Sequence, residues 1–320
     1  MNFSKRRLMA TVLAAAMFLA GGCSRADRTK QLDIVLVTKA LDSEFWQRMK
    51  AGAETAARAD PGVRFAVLAP EREIYIDQQV SILEDQVLKK VSALAVAPAG
   101  VSEVVPVLEK ARAAGIPVLI VDTDLPWPPK LSFIGIDNRL GGRLAGEYIM
   151  RVIGSKGKVA VIRGVLGVAT QEDRLAGFRD VIAKVPGVEC VSVQPANSER
   201  ALGMSVMENI LTSHPDLRAV FATNDQMALG AMEAIAARGL TGKIVLVGFD
   251  ATREAVRAVQ TGKMSAVMAQ YPERIGRRAV EEAIKAARGQ PVAKYVDIGT
   301  ALVTKENANE FLYSSKEVSK

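Results

Sequence analysis

From Leu32 nearly to the C-terminus, short apolar runs alternate with longer stretches in which apolar residues recur every three or four positions. The short runs are "LDIVLVT", "VRFAVLA", "ALAVAP", "PVLIVD", "LSFIGI", "KVAVIRG", "VECVSVQ", "RAVFAT", "KIVLVGFD", "MSAVMAQ" and "AKYVDIG". Most are continuously apolar, the pattern of parallel strands covered by helices on both faces. The longer stretches, among them "FWQRMKAGAETAARA", "RLGGRLAGEYIMRVIG", "QMALGAMEAIAARG" and "PERIGRRAVEEAIKAARG", have helical period, and several end at Gly, the favoured residue just past a helix C-terminus. This alternation predicts an α/β fold of doubly wound parallel sheets. At 320 residues two domains are expected.

No linker rich in Gly or Ser divides the chain. The Pro cluster "DLPWPPK" after Asp122 marks a passage from one sheet toward another, with further passages expected near Gln270 and Asp297. Three passages make a hinge between two lobes, neither continuous in sequence: residues 32–136 with 271–297, and residues 137–270 with 298–320. The polar tail after Thr304 is expected to pack loosely.

The N-terminus belongs to a different class of segment. Basic Lys5, Arg6 and Arg7 precede an apolar run from Leu8 to Ala20, 13 residues long. That is short of the roughly 20 residues a membrane-spanning helix needs, and it has the length of a secretory signal core. Residues 1–22 therefore read as an export leader. Small residues then precede Cys23, as in the lipobox of bacterial lipoproteins, where the Cys is acylated. Leu19 stands four residues before Cys23 rather than the more usual three, so a freely soluble secreted protein is the alternative. Residues 23–31 become a tether, and the mature protein is placed in the periplasm or at the cell surface, held to the membrane through Cys23.

Removing the leader lowers the formal net charge from +7 to +4. The remaining basic residues are interleaved with acids along helices, which describes solvated faces and not a nucleic-acid stripe. Cys23 and Cys190 are the only cysteines, so neither a disulfide framework nor a cysteine metal site is available once Cys23 is acylated. The single histidine, His214, precedes Pro215 at an expected helix end, and no Gly-x-Ser-x-Gly elbow is present. The chain reads as a non-enzyme without cofactor or metal.

Ligands of open α/β sheets bind beyond the carboxyl ends of the strands. At those positions stand Asp42 and Ser43, Asp122 and Thr123, Asn224 and Asp225, Asp250, and Gln270, with Phe45, Trp46 and Phe249 beside them. Carboxylates and amides pair with neighbouring hydroxyls, and aromatic faces cover ring C–H groups, so the set suits a polyol. Helix capping accounts for the acids and amides equally well, but not for the aromatics or Gln270.

At "TSHPDLRAVFATNDQMALGA", "VLVGFD", "MAQYPERIG", "FIGIDNRLGGRLAGEYI" and "DRLAGF" the chain resembles periplasmic sugar-binding proteins of the ribose-binding type. The resemblance spans about Leu32 to Thr300 and implies a type I periplasmic-binding fold, two Rossmann-like lobes on a three-strand hinge. It implies that Asn224, Asp250 and Gln270 bind sugar hydroxyls, that Phe45, Trp46 and Phe249 enclose the ring, that Asp122 receives hydroxyls from the other lobe, and that Asp225 caps its helix. It further implies a monomer that delivers its ligand to ABC permease subunits.

Several positions depart from that pattern. Thr123 and Glu172 stand where arginines are expected, Arg174 retains one, Lys39 replaces a small polar residue, and the aromatic expected near Ser198 is missing. Glu172 and Asp124 would make the pocket more acidic, which leaves ribose in doubt and admits an amino sugar, another pentose or hexose, or an inositol-like polyol. Two rivals share the motifs. A sensory receptor would dock on a kinase or chemoreceptor instead of a permease. A lac-repressor-type regulator needs about 60 residues of DNA-binding segment before the first strand, and only 31 precede it.

Overall fold

The computed structural model describes residues 31–313, so the leader and Cys23 lie outside the described residues. The strands are β1 (Leu32–Val37), β2 (Val63–Leu68), β3 (Ala93–Val96), β4 (Val118–Val121), β5 (Phe133–Gly135), β6 (Gly157–Arg163), β7 (Val188–Pro195), β8 (Leu217–Ala222), β9 (Val245–Asp250), β10 (Ala266–Ala269), β11 (Tyr295–Asp297) and β12 (Ala301–Val303). The helices are α1 (Glu44–Arg58), α2 (Ile76–Leu88), α3 (Val101–Ala113), α4 (Asn138–Ile153), α5 (Ala169–Ile182), α6 (Arg200–Ser213), α7 (Asp225–Ala237), α8 (Arg253–Gln260), α9 (Pro272–Ala287) and α10 (Ala308–Tyr313).

Two six-stranded sheets result, in the orders β2-β1-β3-β4-β5-β11 and β7-β6-β8-β9-β10-β12. Every pairing is parallel except that of β12 with β10. The central strands β3, β4 and β10 are buried at every residue, which is why their sequences run apolar without alternation.

The chain changes sheets after β5, after β10 and after β11. The Pro cluster is not a passage: β4 and β5 on either side of it pair within the first sheet, Ile120 opposite Phe133. Its loop folds back on α3 instead, with Leu125 and Trp127 buried and the Trp127 indole N–H donating to Glu109 Oε1 at 2.6 Å. Two buried apolar side chains outweigh the turn character of the prolines. Residues 305–312 also correct the expectation of loose packing. Ala308 of α10 is fully buried, and Phe311 and Leu312 pack on the core of the second lobe.

Helix pairs approach closely wherever glycines face each other. A Cβ on Gly142 of α4 would lie 2.0 Å from the Arg174 carbonyl of α5, and one on Gly177 equally close to that of Arg139. Gly52 of α1 and Gly276 of α9 are reciprocal in the same way, against Glu273 and Met49. These contacts set the positions of α1 and α5, which carry much of the site below.

Candidate binding site

A cavity of about 190 Å3 lies between the two sheets at the carboxyl ends of their strands. Lys39, Ser43, Phe45, Trp46, Asp122, Arg174, Asn224, Asp250 and Gln270 all line it. Each comes from a strand end or the first two turns of the following helix, so the parallel winding of each sheet aims them at one gap.

The first lobe supplies a buried ion pair, Lys39 Nζ to Asp122 Oδ2 at 3.1 Å, with both side chains nearly inaccessible. Asp122 has a φ of 62°, a conformation that costs a non-glycine residue energy and turns its carboxylate out of the strand. Beside the pair, Phe45 and Trp46 meet edge to face at 4.9 Å, and the indole N–H donates to Glu73 Oε1 at 3.1 Å. Ser43 occupies the N-cap position of α1, yet its hydroxyl makes no capping bond.

The second lobe supplies the complementary pair, Arg174 Nη1 to Asp250 Oδ1 at 3.6 Å. Arg174 is held by Asn138 Oδ1 (2.9 Å) and the Thr223 carbonyl (2.8 Å). Asp250 is also strained, with φ 122°, and accepts from Gln270 Nε2 at 2.7 Å, which ties it to the passage after β10. Burial pushes the Asp250 carboxyl up to about 6 against the attraction of Arg174. The same burial lowers the Arg174 value, opposed by the charge of Asp250. At the mouth, burial raises the Asp42 carboxyl.

Four expectations need correction. Phe249 is fully buried beneath the Arg174 guanidinium, 3.8 Å from ring centroid to guanidinium carbon, so it supports the site without lining it. Thr123 turns inward and donates to Asp122 Oδ2 at 2.8 Å. Glu172 points away, paired with Arg163 and accepting from the Gly167 N–H, while Asp124 pairs with Lys130 outside the cavity. The gap is therefore framed by two opposite-charge pairs and has no acidic excess from these two residues. The cap of α7 also falls on Asn224, which lines the cavity as well, and not on Asp225. Asn224 caps α7 by accepting from the Met227 N–H at 2.9 Å, and Asp225 holds the next loop by accepting from Thr252 N–H (2.7 Å) and Oγ1–H (2.9 Å).

Arg72, Glu73, Ile74, Thr170, Gln171, Asn197, Gln226 and Thr252 also line the cavity and were not singled out in the sequence. Asn197, Gln226 and Thr252 follow strand ends, so the rule that found Asn224 would have reached them. Arg72 to Ile74 sit in an unpatterned loop with no such signal. Contacts between the lobes close the mouth: Arg72 to Glu199 at 3.3 Å, the Arg253 N–H to Glu44 at 3.0 Å, and Arg48 to the Ala251 carbonyl at 3.4 Å. Among the described residues no helix is long and apolar enough to cross a membrane, and no group of three or more His, Cys, Asp or Glu is placed to hold a metal.

A fold of two parallel sheets closing on a polar and aromatic cavity defines a bilobal ligand-binding protein. The chain belongs to the periplasmic binding protein domain family, matched over residues 34–291. It is 32% identical to the ribose import binding protein RbsB of Escherichia coli (strain K12), over 96% of this chain and all of that one. Among solved structures it resembles an ABC transporter periplasmic solute-binding protein from Actinobacillus succinogenes 130z with bound D-allose, at TM-score 0.81 and 32% identity, covering 87% of this chain and 99% of that one. A solute-binding protein from Bacillus halodurans C-125 with bound myo-inositol matches at TM-score 0.84 and 30% identity, covering 89% and 98%.

Proposed function

We infer that this chain is the extracytoplasmic receptor of an ABC importer, a binding protein and not an enzyme, which captures a small sugar or polyol between its lobes. The observation that carries the reading is the pairing of Lys39–Asp122 from one lobe with Arg174–Asp250 from the other across a single cavity, beside Phe45 and Trp46. Each pair offers an acceptor next to a donor, which matches adjacent hydroxyls, and the rings cover a C–H face.

The two lobes pivot on the three interlobe passages. Ligand bound to one lobe completes its hydrogen bonds only when the other closes, so binding shifts an open-closed equilibrium and presents closed rims to the permease. Acylation at Cys23 tethers a monomer to the membrane. The relatives' ligands, ribose, D-allose and myo-inositol, support a neutral hydroxylated ring as cargo.

A thermal-shift screen of the mature protein against monosaccharides, amino sugars and inositols tests the reading. A saturable rise in Tm with one neutral ring polyol is expected. No response to any of them would overturn it.

A further inference from the structure

Everything apolar in the cavity lining comes from one lobe. Phe45, Trp46 and Ile74 belong to the segments that follow β1 and β2, whereas the second lobe contributes only polar or charged side chains. Its nearest aromatic, Phe249, is withdrawn beneath Arg174. Three polar side chains of that second wall, Thr170, Asn197 and Gln226, have no hydrogen-bond partner among the described residues, and Thr170 is 2% exposed.

These two walls ask for different things. Aromatic rings cover C–H groups and give nothing to a hydroxyl pointed at their face. Thr170, Asn197 and Gln226 line the gap with donors and acceptors that no neighbouring side chain occupies, the two amides half-buried, so the second wall can pair with hydroxyls of whatever fills the gap. On a six-membered ring, equatorial hydroxyls radiate around the edge, toward the two ion pairs. Only an axial hydroxyl projects from a face.

We propose that the site selects ring polyols of unequal faces: a C–H face laid on Phe45 and Trp46, and at least one axial hydroxyl directed at Thr170, Asn197 and Gln226. The proposal rests on the sugar-binding reading above and adds the stereochemistry of the cargo. Gln226 and Thr170 act here as specificity-determining residues.

Calorimetric titration of the mature protein with matched epimers tests it. In each ring class an all-equatorial member that cannot anomerise, scyllo-inositol, 1,5-anhydroxylitol or 1,5-anhydro-D-glucitol, is compared with its axial counterpart, myo-inositol, 1,5-anhydroribitol or 1,5-anhydro-D-galactitol, and the parent sugars are titrated beside them. In whichever class binds, the all-equatorial member is expected to bind at least fivefold more weakly than the best axial one. The double variant Thr170→Val with Gln226→Leu is expected to shrink that ratio; if it does not fold, the wild-type ratio decides. A wild-type ratio below fivefold, or one that a folded double variant leaves unchanged, would overturn the stereochemical proposal while leaving sugar binding intact. Binding of no member of any class would overturn the sugar-binding reading itself.

Discussion

The guanidinium of Arg174 rests 3.8 Å above the centroid of the Phe249 ring. Its nitrogens reach Asn138 and the Thr223 carbonyl and face Asp250. A flat, forked cation is needed to make all of these contacts at once, and an ammonium cannot replace it. Arg174→Lys is therefore expected to lose at least tenfold in ligand affinity, about 1.4 kcal/mol, with a fall in Tm from the uncovered ring. Titration calorimetry measures the first and scanning calorimetry the second. Affinity within twofold of wild type would remove Arg174 from the ligand contacts.

Asp250 lines the gap from the second lobe on a strained backbone, and the proposed site uses it as a hydroxyl acceptor. Asp250→Ala leaves a ligand hydroxyl and Gln270 Nε2 without their acceptor. An affinity loss of about 1 to 3 kcal/mol is expected, roughly 5- to 150-fold. The substitution also relieves burial of a carboxylate, so Tm should fall little or rise. A lower Tm with unchanged affinity would mean that Asp250 serves only the loop.

The same carboxylate shapes the pH dependence of stability. Its folded value of about 6 lies above the ordinary 3.8, so between those values the folded chain keeps a proton that the unfolded chain has lost. Stability from this group is therefore present at low pH and is lost as pH rises through that window, by about 3 kcal/mol at 1.36 kcal/mol per pH unit. Asp225 is displaced in the same direction by its own burial and by the charge of Asp250. Urea unfolding of the ligand-free protein and of Asp250→Asn, from pH 4 to 7, isolates the effect. Wild type should lose ground steadily to the variant as pH rises, and a constant difference would contradict the assignment.

The Arg72–Glu199 pair spans the mouth but is half-exposed on the arginine side. Exposed pairs are worth about 0 to 1 kcal/mol and weaken with salt. Glu199→Gln should thus weaken ligand binding no more than about fivefold, and 0.5 M NaCl should erase the difference from wild type. Titrations at low and high salt check this. A larger, salt-independent loss would assign Glu199 to the ligand itself.

Much of this was legible in the chain alone. Continuous apolar runs such as "ALAVAP" and "PVLIVD" mark covered parallel strands because nothing else buries both faces of a strand. Since ligands gather at the carboxyl ends of such strands, Asp122, Asn224, Asp250 and Gln270 could be named from position, and the cavity brings them together. β12 escaped notice because it is three residues long and antiparallel.

What periodicity cannot carry is the direction of a side chain once the backbone leaves a strand. Glu172 and Arg174 are two apart on α5, so the helical turn that brings one to the gap sends the other to Arg163. Phe249 and Asp250 are adjacent in β9, and strand alternation buries the ring while presenting the carboxylate. The turn of Asp225 away from its own helix, and the closure of the Pro-rich loop onto α3, depended on partners remote in sequence, Thr252 and Glu109. Sequence determined the sheets and the rim from which a site had to be built, because strand burial and winding are local consequences of residue pattern. Only the tertiary structure decided which rim residues face the gap, because that choice is made by contacts between segments the pattern does not connect.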